Sequence, residues 1–406
     1  MMTNPSKPAP NRLVSLDALR GFDMFWIMGA DALVQALGEV NHSAPARFFA
    51  GQLDHKAWSG LAFYDIIFPL FVFIVGVSSV FSLERLKEQY GRNAAIVRVL
   101  RRGALLLLLG FLYGGGITNP WPDMRLLGVL PRIAICYTLT GVLFCYFRPK
   151  ALAGIIVALL AGYWALLAFV PIKDCQLDDT VLASQIGVAK PSAEQVRHIY
   201  DSTTAEVRGN FEPGLNLTNH LDYLYLPGRK YDHYWDPEGL LSTLPAIATC
   251  LIGVFAGLLM RRGDLEADAK LRTLLIAGAI LLAAGWLWHP WFPIVKKIWT
   301  SSFVLVAGGW SLLLLGGFHY LIDLRGWRRW CEPFIWIGMN PITLYLFNGI
   351  VGFRRLAQRM AGGDLKLWLD AHIGAGAGQG VLALVGLALM FTLARFLYRR
   401  QIFLRV

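Results

Sequence analysis

Blocks of about 20 predominantly apolar residues recur along this chain, the length an α-helix needs to cross a hydrocarbon core of about 30 Å. They are placed at 13–37, 57–83, 99–116, 126–147, 151–171, 239–260, 273–290, 301–323, 333–353 and 378–398. At that depth no water satisfies backbone N–H and C=O groups, so a spanning segment is a helix or part of a closed barrel. The blocks are rich in Leu, Ala, Gly and Val and lack the alternation of barrel strands, which leaves helices. The expected fold class is therefore an all-α polytopic membrane protein with about ten transmembrane helices. It forms one domain over 1–406, with a long extracytoplasmic loop, 172–238, as a lid within it. Composition argues against a soluble enzyme: 56% of the 406 residues are hydrophobic and 16% are charged, where soluble domains carry about 25% charged residues.

Lys and Arg outnumber Asp and Glu, 38 to 27, for a net charge of +11. Such an excess suits either nucleic acid or an anionic membrane leaflet, and position decides between them. With alternating spans, Lys7, Arg12, Arg85, Lys87, Arg92, Arg98, Arg101, Arg102, Arg148, Lys150, Arg261, Arg262, Lys270, Arg272, Arg325, Arg328, Arg329, Arg399, Arg400 and Arg405 share one side. The positive-inside rule makes that side cytoplasmic and puts both termini there. Arg354, Arg355, Arg359 and Lys366 in the 354–377 loop are the exception. Dispersal over several loops excludes a nucleic-acid footprint and leaves membrane lipid as the surrounding partner.

Asp17, Arg20, Asp23 and Asp31 interrupt the first block and no small-x-small site follows, so that span is expected to be retained. Of five cysteines, Cys136, Cys145 and Cys250 fall within spans, Cys331 is cytoplasmic and Cys175 stands alone outside. They offer no disulfide framework and no C-x-x-C site. The chain also lacks H-E-x-x-H and G-x-x-x-x-G-K-[ST], so neither a metal centre nor a P-loop is expected. The second half of the long loop, from Asn210-Phe211-Glu212-Pro213-Gly214 through Asp232-His233-Tyr234-Trp235-Asp236-Pro237-Glu238, is rich in aromatics, amides and carboxylates. Those groups stack on sugar faces and bond hydroxyls, and a packed lid without ligand is the competing reading. Asn41-His42-Ser43 and Asn216-Leu217-Thr218 fit the glycosylation triplet, which has meaning only in a eukaryotic secretory setting.

Ionisable residues inside spans are costly and are functional candidates by default. Arg20 and Asp23 lie near the inner end of the first span, where Arg20 can pair with Asp17 or Asp23, and Asp31 lies near the outer end with no partner at helical spacing. His55 opens the second span in His55-Lys56-Ala57-Trp58-Ser59-Gly60-Leu61. Histidine is the side chain best suited to accept a proton near neutral pH, and Asp31 is placed to orient it or to hold a cationic substrate. Asp65 follows ten residues on, about 15 Å along a helix axis. Arg132, deep in the fourth span after Pro131, requires a carboxylate, and Asp65 is the expected partner. Gly338-Met339-Asn340-Pro341 interrupts the ninth span and exposes carbonyls beside an amide, as either a ligand-lining break or a proline kink. Lys296-Lys297-Ile298-Trp299-Thr300-Ser301-Ser302 opens the eighth span with hydroxyls suited to capping.

Arg12-Leu13-Val14-Ser15-Leu16-Asp17-Ala18-Leu19-Arg20-Gly21 and His55-x-x-Trp58-x-Gly60-Leu61-x-x-x-Asp65-x-x-Phe68-Pro69-x-Phe71-x-Phe73-x-x-Gly76 resemble the transmembrane acetyltransferases typified by heparan-α-glucosaminide N-acetyltransferase and its bacterial relatives. Gly128-Val129-Leu130-Pro131-Arg132, Asp236-Pro237-Glu238-Gly239, Trp299-Thr300-Ser301 and Gly338-Met339-Asn340 follow in the same order, so the resemblance spans most of the chain. It implies transfer of acetyl from cytoplasmic acetyl-CoA, as co-substrate, to the amine of an amino sugar or glycan across the membrane, in a bacterial inner membrane and as a homodimer. Gly253 and Gly257 offer a small-residue face for packing within or between chains. His55 falls on the family's essential histidine, and Asp31 stands where the lysosomal enzyme has an active-site asparagine. The catalytic candidates are thus His55 and Asp31. Arg20, Asn340 and Ser301 are expected to serve acetyl-CoA or the developing oxyanion. Trp58, Asp65, Arg132, Asp236 and Glu238 are expected to serve the acceptor. Direct attack by the amine and an acetyl-His55 intermediate are both chemically open. An amino-sugar transporter and an O-acyltransferase of surface polysaccharide are the rival functions.

Overall fold

The computed structural model describes residues 13–41 and 43–404. Lys7, Arg12, Arg405 and the His42 of the first glycosylation triplet lie outside the described residues. In chain order the helices are α1 (Val14–Phe25), α2 (Asp31–Val40), α3 (Ala44–Gln52), α4 (Phe63–Tyr113), α5 (Val129–Tyr146), α6 (Pro149–Phe169), α7 (Asp179–Ile186), α8 (Ala193–Ser202) and α9 (Leu217–Tyr225). Then come α10 (Thr243–Arg261), α11 (Ala267–Trp288), α12 (Ser301–Phe318), α13 (Glu332–Gly338), α14 (Pro341–Ile350), α15 (Phe353–Ala361), α16 (Asp364–His372) and α17 (Ala377–Arg399). Among the described residues, seven helical stretches are long and apolar enough to cross a membrane: Phe63–Thr118, Val129–Tyr146, Pro149–Phe169, Thr243–Arg261, Ala267–Trp288, Ser301–Leu324 and Ala377–Arg399. The architecture is that of an all-α membrane protein.

The remaining apolar blocks take broken or merged forms. The first is α1 and α2 joined through a π-helical turn, Trp26–Ala30, in which Gly29 adopts φ +117°, a conformation that favours glycine. The second and third merge into the 51-residue α4, which turns at Gly91 (φ +82°). A Cβ on Gly141 of α5 would meet both Val99 and Leu83, so both arms of α4 reach the same helix. The ninth block breaks where Gly338-Met339-Asn340-Pro341 predicts, with α13 ending at Gly338 and α14 starting at Pro341.

Small residues set the closest crossings. Gly76 of α4 lies against the Cys250 carbonyl of α10, and Gly253 of α10 against the Phe73 carbonyl. Gly257 meets Val77 and Val80, so both glycines of that pair pack against α4 of their own chain. Gly21 of α1 and Gly338 of α13 each approach the other helix's backbone.

The 172–238 segment is folded. A two-residue antiparallel ladder, Ile172–Lys173 against Glu206–Val207, closes α7 and α8 into one unit. Asn216 caps α9 by accepting from the Asn219 amide, 3.0 Å. Trp58 anchors the segment to the bundle, donating from Nε1 to the Phe211 carbonyl at 2.8 Å and packing edge-on against Trp235.

Candidate active site

Helix α4 begins at Phe63, so the residues between α3 and α4 are free to fold back over its N-terminus. Asp65, in the first turn, accepts on Oδ2 from the backbone amides of Ala62 (3.0 Å) and Lys56 (3.3 Å). Its Oδ1 faces Nδ1 of His55 at 2.9 Å. The expected separation of about 15 Å along a helix axis is therefore corrected: His55 precedes the helix and lies over its end. Asp65 is buried, with 1% side-chain exposure, whereas His55 is half exposed at 50%. An ionised carboxylate only accepts, so Nδ1 carries the proton and Nε2 the lone pair.

The other wall comes from the loop between α11 and α12. The Gly60 amide donates to the Ile294 carbonyl at 2.9 Å and Ser59 bridges to Val295. That splice brings Lys296 to the imidazole, with Nζ 2.9 Å from Nδ1, 3.3 Å from Nε2 and 3.4 Å from Asp65 Oδ1. Burial pushes the Lys296 ammonium below the ordinary lysine range, against the pull of Asp65. Tyr64 lies beside the His55 ring, 4.7 Å between centroids, and its hydroxyl bonds Asp31. Asp31 thus reaches the imidazole through Tyr64. It also lines a separate 230 Å³ cavity with Asn348 and Arg354, one of the basic residues that break the positive-inside pattern.

His55, Tyr64, Phe68, Arg125, Glu238, Lys296, Trp299 and Tyr345 line a cavity of about 320 Å³. Arg125 organises its far side. Nε and Nη2 fork onto Asp236 at 2.9 and 2.8 Å, and Nη2 also reaches Glu238 at 2.7 Å. Burial works against ionisation of Asp236, but Arg125 outweighs it and holds that carboxyl below its usual range. Burial instead raises Glu238. Asp222, buried beneath this turn, accepts from the Leu240 and Asp236 amides and is raised by burial to about 6.

The other expected residues divide. Arg132 does not pair with Asp65. Its Nη2 donates to Ser242 Oγ and the Gly239 carbonyl and its guanidinium lies 5.0 Å over the Trp299 ring, because α5 faces the start of α10. Trp58 is a structural anchor outside the cavity lining. Ser301 is fully buried and donates to the Leu160 carbonyl at 2.7 Å, which takes it away from the imidazole. Asn340 is 2% exposed, and neither amide atom has a partner among the described residues. Arg20 lies in a second cavity of about 520 Å³ with Ser78, Ser82, Arg85 and Arg98, bonding Ser78 Oγ at 2.6 Å and the Gly338 carbonyl at 3.2 Å. Ser78 is ten residues from Phe68 of the first cavity, about 15 Å along α4.

Three contributors escape sequence reasoning. Arg125 sits in an interhelical turn, Tyr64 reads as one more aromatic, and Lys296 reads as a residue preceding a helix cap. The acidic pair Asp236 and Glu238 was the available signal that a cation must face it. Among the described residues no group of three or more His, Cys, Asp or Glu is arranged to hold a metal ion. The arrangement can withdraw a proton from a nucleophile at Nε2 while surrounding cations and amides face a developing negative charge.

No protein-family model matches the chain. It is 24% identical over 381 residues to heparan-α-glucosaminide N-acetyltransferase of Homo sapiens, covering 83% of this chain and 52% of that protein. It is 25% identical over 385 residues to the Mus musculus protein of the same name, covering 85% and 54%. The chain thus spans about half the length of the curated relatives it matches. In its ordered motifs and helical membrane architecture, the chain is similar over most of its own length to heparan-α-glucosaminide N-acetyltransferase.

Proposed function

We propose that the protein is a membrane acetyltransferase that passes the acetyl group of acetyl-CoA to the amine of an amino sugar, glucosamine or a terminal glucosaminide, with His55 as general base. The observation that carries this reading is the Asp65 to His55 contact at 2.9 Å at the mouth of a 320 Å³ cavity. Asp65 fixes the tautomer, so Nε2 can take the proton as the amine nitrogen attacks the thioester carbon. The bond to sulfur then breaks, and the imidazolium returns its proton to the thiolate.

In this reading the chain crosses the membrane ten times as a single domain, with α1–α2, the two arms of α4 and α13–α14 each contributing crossings and both termini cytoplasmic. The Arg20 cavity, with Arg85 and Arg98, receives the CoA phosphates from the cytoplasm, and the pantetheine arm passes Asn340 to reach His55. The unpartnered Asn340 amide supports a role toward the thioester. Glu238, held by Arg125, faces the acceptor, Asp236 fixes Arg125 from behind the cavity wall, and Asp31 acts through Tyr64. The setting is a bacterial inner membrane, with the protein as a homodimer.

The test is His55→Ala in purified, folded protein given labelled acetyl-CoA and glucosamine. Transfer should fall to background while CoA binding persists. Undiminished transfer would overturn the assignment, and labelled sugar uptake into proteoliposomes without acetyl-CoA would point to transport instead.

A further inference from the structure

The acceptor amine must come within hydrogen-bond reach of His55 Nε2 to lose its proton there. One amine of the chain already lies beside that place. Lys296 Nζ lies over the imidazole, 2.9 Å from Nδ1 and 3.3 Å from Nε2, so that a small swing brings it onto Nε2; it lines the same cavity and is held by Asp65 at 3.4 Å. It arrives on a loop spliced to the His55 segment through Ser59 and Gly60, so its position is built into the backbone. The neighbouring lysine is differently engaged: Lys297 bonds Asp232 at 3.1 Å and lies over the Trp235 ring.

We infer that Lys296 is itself an acetylation site, taking the acetyl group from the thioester when no acceptor amine fills the cavity. This rests on the function proposed above. The step needs no further reagent. After the ammonium loses one proton to solvent, the free amine attacks the thioester carbon and a carbon–nitrogen bond forms. The carbon–sulfur bond breaks with its electron pair left on sulfur. The second proton passes from Nζ to His55 Nε2 and on to the thiolate, releasing CoA as the thiol. Burial supports the step by easing deprotonation of Nζ. The product is an amide, so unlike an acyl-imidazole it does not turn over. It removes the charge beside His55 and fills part of the cavity, converting idle enzyme to an inactive form.

The experiment incubates the purified full-length protein in detergent with isotopically labelled acetyl-CoA, with and without saturating glucosamine, and reads peptides by mass spectrometry. One acetyl group is expected on the Lys296 peptide, resistant to neutral hydroxylamine, at least tenfold above Lys297 and Lys56. Glucosamine should suppress it, and His55→Ala and Lys296→Arg should abolish it. Protein that acetylates glucosamine yet leaves Lys296 unmodified would overturn this inference and spare the proposed function. Equal labelling of Lys296, Lys297 and Lys56, or labelling that survives His55→Ala, would also overturn it, as chemical acetylation. Protein that neither acetylates glucosamine nor labels Lys296 would sink both.

Discussion

Asp65→Asn separates orientation of the imidazole from its mere presence. The native carboxylate receives the Ala62 and Lys56 amides on one oxygen, and His55 at 2.9 Å with Lys296 at 3.4 Å on the other. An amide has one accepting oxygen. With that oxygen kept on the two backbone donors, its NH₂ turns to His55, and the Nδ1 proton must leave for Nε2. Loss of one hydrogen bond to a charged group, about 1.5–3 kcal/mol, translates into a roughly 10–150-fold fall in kcat/KM. A fully reversed tautomer extends the loss towards about 10⁴-fold. The backbone donors remain satisfied, so thermal unfolding should shift by no more than about 1–2 kcal/mol. Initial rates of glucosamine acetylation, measured against both substrates, give kcat and KM separately, and the loss should fall on kcat. A folded variant within about threefold of native kcat would refute the Asp65 to His55 assignment.

Arg125→Met leaves the buried Asp236 without its counter-ion and should cost about 3–5 kcal/mol, seen as a lower melting temperature in detergent. Adding Asp236→Asn should recover at least half of that loss, and a purely additive double variant would deny the coupling. Asp222 predicts a pH signature. Its carboxyl rises from 3.8 in the unfolded chain to about 6 in the folded one, so the folded state binds the proton more tightly. Its stabilisation is full below the unfolded value and is lost as pH rises through about 6. Asp222→Asn should flatten stability across that window and gain up to about 3 kcal/mol near neutrality, less whatever the Asp236 amide loses as a donor. A curve that keeps the native slope would remove Asp222 as its cause. Gly76→Val drives a side chain into the Cys250 carbonyl of α10 and should destabilise by about 1–3 kcal/mol or more, whereas Gly154→Ala, with open space around it, should leave the melting temperature within about 1 °C.

What the residues alone reveal follows the range of the physics behind each inference. Membrane helices are local: an apolar stretch of sufficient length requires a helix whatever surrounds it, and the Asn340-Pro341 break follows from a missing N–H. Asp65 stands out because a carboxylate is costly inside a span, and His55 because an imidazole beside a span end is suited to accept a proton. Their meeting does not, because a ten-residue spacing looks like about 15 Å until the helix is known to start at Phe63. Arg132 illustrates the opposite limit. Its need for partners was clear, but Ser242 and the Gly239 carbonyl lie over a hundred residues away, and no periodicity encodes which helix faces α5. Lys296 and Arg125 were silent for the same reason.

The splice between the His55 turn and the Lys296 loop has a consequence for biosynthesis. The two residues are 241 positions apart, so the ribosome has finished more than half of the chain before the second wall of the cavity exists. The Asp65 contacts to His55, Lys56 and Ala62 are encoded within ten residues, whereas the Ser59 and Gly60 contacts that hold the same segment wait for Ile294 and Val295. The site is therefore completed only when the late helices are inserted. Chains halted before residue 290 should insert and stay inert, and co-expression of the missing C-terminal segment should restore acetylation without any covalent join.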